Sequence, residues 1–83
     1  MKLLYFAWLK TKTGVSEETV SPPAEVRTVA DLLIWLKQRG PGYAEALADI
    51  DALRVAVNQE YADFTDPVAP GDEIALFPPV TGG

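Results

Sequence analysis

The sequence predicts an α+β fold, a mixed β-sheet packed on one main helix, and two observations carry that reading. Apolar and polar residues alternate around residues 2–10, 53–57 and 73–77, the period of a strand with two unlike faces. Between the first two stretches, Val29, Leu32, Leu33 and Leu36 recur at the period of a helix with one apolar face.

In the first stretch the odd positions Leu3, Tyr5, Ala7 and Leu9 are all apolar and form the better core face. The even positions Lys2, Leu4, Phe6, Trp8 and Lys10 carry charge at both ends and apolar side chains between. The expectation is a strand over residues 2–10, a hairpin turn at Gly14 and a return strand over Glu17 to Val20, ended by Ser21-Pro22-Pro23.

The helix is the clearest element. Thr28 is a good N-cap, and Asp31 three residues on can complete a capping box. Lys37 and Arg39 suit the negative end of the helix dipole. Gly40 is a natural residue to follow the helix, and Pro41 prevents its continuation. Trp35 flanks the apolar face as an edge aromatic closing the core. Tyr43 to Leu47 can form a short second helix.

Leu53, Val55 and Val57 alternate with Arg54, Ala56 and Asn58 as a strand, and Asn58-Gln59-Glu60 is a turn. Tyr61 to Phe64 adds a short edge strand, and Asp66-Pro67 and Pro70-Gly71-Asp72 are turns. Glu73 to Phe77 is the last strand, with Ile74 and Leu76 on one face and Glu73, Ala75 and Phe77 on the other. The simplest arrangement for this order is a β-grasp over residues 1–77, leaving 78–83 as an extended C-terminal tail. There the first and last strands lie side by side, and Phe6 and Phe77 share the face turned away from the helix. The alternation leaves a binding surface and ordinary scattered apolar surface equally open.

Composition narrows the chemistry. A chain of 83 residues builds one domain with a modest core. Cysteine and histidine are absent, which removes disulfides, thiolate nucleophiles, iron–sulfur ligation, imidazole acid–base work and most zinc sites, so no bound metal or cofactor is expected. The net charge of −5 argues against nucleic acid and favours a basic protein partner. No segment reaches the roughly 20 apolar residues of a membrane span. The apolar N-terminal run is short, is followed by Lys10 and Lys12 and lacks a small-residue cleavage site, so the expectation is a strand in a cytoplasmic protein. The carboxylate pairs Glu17-Glu18, Asp49 with Asp51, and Asp72-Glu73 are expected as solvated surface, and Lys10 and Lys12 as hairpin surface.

The chain ends Pro78-Pro79-Val80-Thr81-Gly82-Gly83. Prolines cannot donate to a sheet ladder, so Pro78 and Pro79 stop the strand and stiffen the chain beyond it. Gly82 and Gly83 carry no side chains and could present a terminal carboxylate inside a narrow channel. On composition alone a frayed terminus or a cloning remnant is the favoured explanation of such an end; directly after a β-grasp pattern, Gly-Gly means more.

The ending Phe77-Pro78-Pro79-Val80-Thr81-Gly82-Gly83 resembles the C-terminal signature of the molybdopterin synthase small subunits, which are ubiquitin-like sulfur carriers. Leu4-Tyr5-Phe6-Ala7, Thr28-Val29-Ala30-Asp31-Leu32, Val55-Ala56-Val57-Asn58-Gln59 and Pro70-Gly71-Asp72-Glu73-Ile74 are similar too, while Tyr43 to Asp51 is the weakest stretch. Leu4-Tyr5 and Tyr61 depart from the family's usual residues without changing chemical character.

The resemblance implies that an E1-like adenylating enzyme uses ATP to activate Gly83, that sulfur displaces AMP to leave a thiocarboxylate, and that the tail, with Pro78, Pro79, Val80, Thr81 and Gly82, threads into a large subunit. There the sulfur is donated to cyclic pyranopterin monophosphate in molybdenum cofactor biosynthesis. It implies a heterotetramer, a partner-binding surface at Phe6, Tyr61 and Phe77, and a chain that is not catalytic alone. Competing readings are a sulfur carrier for thiamine, cysteine or tRNA thiolation, a modifier joined to lysines, and a β-grasp interaction module with an inert tail.

Overall fold

The computed structural model describes residues 1–79. Five strands form one mixed sheet: β1 (Lys2–Tyr5), β2 (Glu17–Thr19), β3 (Arg54–Val57), β4 (Glu60–Ala62) and β5 (Glu73–Phe77), in the order β2-β1-β5-β3-β4. β1 runs parallel to β5, and the other pairs are antiparallel. The sheet packs on α2 (Val29–Lys37), with α1 (Trp8–Thr13) and α3 (Pro41–Ala46) at one end and a 3-10 turn (Ile50–Ala52) before β3. This is the β-grasp arrangement the element order predicts.

The inner face of the sheet carries Leu3, Tyr5, Val55, Ile74 and Leu76, which meet Val29, Leu32, Leu33 and Leu36 of α2 in the core. All four helix residues are buried, as their spacing requires. The capping box is formed: Thr28 Oγ1 accepts from Asp31 N at 3.1 Å, and Asp31 Oδ2 accepts from Thr28 N at 3.2 Å. A further bond from Arg27 N, with the Thr28 donors, holds the Asp31 carboxyl below its ordinary range. Val57 and Glu60 pair across a two-residue turn in which Asn58 and Gln59 have φ of 52° and 71°, the backbone that suits the twist of a tight hairpin.

The expected strand over residues 2–10 is wrong in its second half. It ends at Tyr5, and Ala7, with φ 55° and ψ −132°, turns the chain into α1. Leu9 is still buried, but from a helix, while Ala7 is exposed. Gly14 accordingly makes no hairpin turn: it caps α1 in the left-handed conformation at φ 84°. Lys10 and Lys12 lie on that helix, and Lys12 pairs with Glu45 of α3. The expected helix end at Gly40 is also corrected: α2 stops at Lys37 with Gln38 as its C-cap, and Gly40 is instead the N-cap of α3, which Pro41 opens, where a missing N–H is harmless. Trp35 is half-buried against the core with the Arg39 guanidinium 5.4 Å from its ring centre.

Glu18 is a correction of another kind. β2 is only three residues long, yet its alternation sends Glu17 outward to Lys2, at 3.4 Å, and Glu18 inward. Tyr43 Oη donates to Glu18 Oε2 at 2.8 Å, and Arg39 Nη1 sits 2.9 Å from Oε1. Arg39 also lies 5.0 Å from the Tyr43 ring centre. Burial pushes the Glu18 carboxyl up; the hydrogen bonds from Tyr5, Tyr43 and Arg39, and the Arg39 charge, outweigh it and hold Glu18 below the usual carboxylate range. Asp49 and Asp72 are structural too, Asp49 capping the 3-10 turn and Asp72 accepting from Asn58 Nδ2 and Ala69 N.

Candidate functional site

The register of the sheet defines its outer face. Strand alternation and cross-strand pairing place Leu4 on β1, Ala75 and Phe77 on β5, Arg54 and Ala56 on β3, and Tyr61 on β4 on the side away from α2. The middle of this face is flat because Leu4, Ala75 and Ala56 stand in adjacent strands. The aromatic residues gather where β1 and β5 both end.

The rings of Tyr61 and Phe77 lie 5.8 Å apart at a 52° tilt, and Tyr61 is 76% exposed. With Arg54, Val55, Ala62 and Asp63 they line a groove of about 390 Å3. Phe6 is 48% exposed at the tip of β1, where its N–H donates to Leu76 O at 3.1 Å and extends the β1–β5 ladder by one residue. The strained backbone of Ala7 then turns the chain away. Phe6 lines a separate concavity with Leu4, Ala7 and Lys10. The three aromatics named from the sequence therefore share one end of the sheet but divide into a touching pair and a flank.

Large aromatic side chains left in water on a small domain are the usual mark of a docking surface. The chemistry here is recognition: exposed aromatic surface with one guanidinium, Arg54, and one carboxylate, Asp63, beside it. The groups with shifted pKa, Tyr5, Glu18, Tyr43 and Asp31, lie elsewhere, in the inner polar cluster and the α2 cap. Among the described residues no cluster of three or more His, Cys, Asp or Glu is placed to hold a metal ion, and no helix is long and apolar enough to cross a membrane.

Pro78 and Pro79 follow β5 outside any strand, as their missing donors require, and are half-buried. Val80, Thr81, Gly82 and Gly83 lie outside the described residues. Sequence reading had no signal for Arg54, which it took only as the polar member of an alternating strand.

The ThiS family pattern matches residues 3–83. The molybdopterin synthase sulfur carrier subunit of Homo sapiens is 40% identical over 100% of this chain and 93% of its own length. The subunit of the same name from Escherichia coli is 39% identical over 100% and 99%. Among solved structures, Haloferax volcanii small archaeal modifier protein 1 superposes with a TM-score of 0.75 at 32% identity, covering 96% of this chain and 97% of that one. A complex of subunits 1 and 2 of the molybdopterin-converting factor from Helicobacter pylori contains a chain that superposes with a TM-score of 0.65 at 25% identity, covering 99% and 96%. With the family pattern running to Gly83 on a β-grasp body, this chain belongs to the ThiS family, alongside the sulfur carrier subunits of molybdopterin synthase.

Proposed function

We propose that this chain is the sulfur carrier subunit of a molybdopterin synthase. The observation that carries the reading is the likeness to the human subunit over the whole chain. The exposed aromatic end of the sheet supports it, because it lies where β5 leads into the Pro78-Pro79 segment.

In this reading the Gly83 carboxylate attacks the α-phosphate of ATP on an E1-like adenylating enzyme and releases pyrophosphate. The resulting mixed anhydride has a good leaving group, so a sulfur donor displaces AMP and leaves a thiocarboxylate. The outer face, with Phe6, Tyr61 and Phe77, docks on a large subunit such as the one the Helicobacter pylori complex contains. Residues 78–83 then thread into it, and the sulfur passes to cyclic pyranopterin monophosphate. Acid–base groups and the pocket for the anionic pterin belong to the large subunit, and two such pairs make the heterotetramer. ATP belongs to the activating enzyme, and the carrier works in the cytoplasm.

The test is intact mass before and after incubation with the adenylating enzyme, ATP and a sulfide source. The expected result is a gain equal to replacement of one oxygen by sulfur, abolished by deletion of Gly83. An unchanged mass with a demonstrably active enzyme would overturn the carrier reading and leave an interaction module.

A further inference from the structure

Arg54 is out of character with its surroundings. It lies directly opposite Phe77 in the β3–β5 ladder, on the outer face, and is exposed. Of the other cations, Lys2 pairs with Glu17, Lys12 with Glu45 and Arg39 with Glu18, whereas Lys10, Arg27 and Lys37, like Arg54, form no ion pair among the described residues. Among the described residues the Arg54 guanidinium has no carboxylate within ion-pair distance. It is nevertheless held: Nη1 donates to Leu53 O at 3.0 Å and Asp51 O at 3.3 Å, at the end of the 3-10 turn. That anchoring spends one nitrogen on the chain's own backbone and leaves the Nε–Nη2 edge without a bond to any described residue. A planar, pre-oriented donor edge of this kind matches the two oxygens of a carboxylate.

The groove beside it narrows the occupant. Its aromatic walls are the Phe77 and Tyr61 rings, which suit an apolar stem, while the side chains of Val55 and Ala62 behind it turn to the core. Asp63 also lines it, so a phosphate dianion would face like charge where a single carboxylate faces less. The chain as a whole carries −5, which steers basic surface toward it, whereas this point inverts the sign. A positive charge held beside exposed aromatic rings fixes register and rejects wrong partners more than it adds contact area.

We propose that Arg54 is a specificity-determining residue of this face, receiving a carboxylate side chain of the partner subunit in the groove beside Tyr61 and Phe77. The assignment rests on the reading of the outer face as the docking surface.

The experiment is titration calorimetry of the full chain with the large subunit from the same organism, at low and high salt. It compares the wild type with Arg54→Gln, Arg54→Glu and Tyr61→Ala, each checked for an unchanged thermal melt. Arg54→Gln is expected to weaken binding about 10- to 100-fold, the loss of a charge-assisted hydrogen-bonded pair. Arg54→Glu should weaken it further, and the glutamine variant should lose the part of the salt sensitivity that the local pair contributes, keeping the part due to the chain's overall charge. Binding of Arg54→Glu within about twofold of wild type, while Tyr61→Ala binds weakly, would overturn the Arg54 assignment and leave the docking surface standing. A weakened Arg54→Gln with undiminished salt sensitivity would overturn it too, because the arginine stem would then be the contact. Wild-type affinity in both Tyr61→Ala and Arg54→Glu would overturn the docking surface itself.

Discussion

The hydroxyl of Tyr5, in the core at 2% exposure, donates to Glu18 Oε2 at 2.7 Å. With Tyr43 and Arg39 on the same carboxylate, one acidic side chain ties β2 to β1, to α3 and to the segment after α2. Replacing Glu18 with alanine leaves the buried Tyr5 hydroxyl without its acceptor, a loss of about 1–3 kcal/mol before the Arg39 contact is counted. For a domain of this size that lowers Tm by roughly 4–8 °C per kcal/mol, readable by calorimetry. A glutamine side chain keeps an acceptor oxygen for Tyr5, so Glu18→Gln should fall between wild type and Glu18→Ala.

The same cluster sets a pH dependence. Glu18 is held below its ordinary range, so its contribution is fully present above the free-glutamate value near 4.3 and is lost as pH falls through the folded value. Tyr5, pushed up by burial and then by Glu18, contributes stability present below the free-tyrosine value near 10 and lost as pH rises through its folded value. Urea melts from pH 7 down to pH 3 should show the wild type losing stability more steeply than Glu18→Gln. Parallel slopes would contradict this.

On the docking face, Tyr61 and Phe77 touch whereas Phe6 lines a different concavity. Tyr61→Ala and Phe77→Ala should therefore be non-additive in binding, with a coupling of about 0.5–1.5 kcal/mol. Phe6→Ala should add independently to either. A double-mutant cycle against the large subunit measures all three.

Gly42 stands where α3 crosses α1, and a Cβ there would clash with Lys12 O. Alanine gains up to about 1 kcal/mol in helix propensity, but the obstacle is backbone, and forcing atoms into a packed site costs about 1–3 kcal/mol. Gly42→Ala should thus destabilise, with a lower urea midpoint.

Ala7 is the opposite case. Its φ of 55° with ψ of −132° is a conformation that side chains resist, at a cost of about 1–3 kcal/mol. Glycine would remove that strain and lose about 0.5–1 kcal/mol to its greater freedom when unfolded. Ala7→Gly should raise stability by about 1 kcal/mol in the same melts.

The contrast between Ala7 and Val29 explains what was legible. The α2 face, its Thr28–Asp31 cap and β5 are each encoded in neighbouring residues, and each forms as read; the turn after β3 is one residue tighter than read, because Glu60 pairs with Val57 and opens β4, which ends at Ala62 rather than Phe64. The break at Ala7 has no signature, since alanine fits strand and helix alike, and Leu9 satisfies both periods. Glu18 was misjudged because its partners stand 13 to 25 residues away, and only the fold brings them together. Phe6 and Phe77 could be placed on one face by alternation, whereas Tyr61 needed the family resemblance and Arg54 needed the groove.

β5 occupies the middle of the sheet, bonded on one side to β1 and on the other to β3. Any tension applied beyond Phe77 along the strand axis is resisted by both ladders in shear together, so they cannot open one bond at a time. The body is built to be handled by that end: an enzyme or subunit that grips and tugs there would move a rigid block. The force needed to extract β5 should exceed that for stripping the edge strand β4, a mechanical ranking that single-molecule extension from different attachment points can read directly.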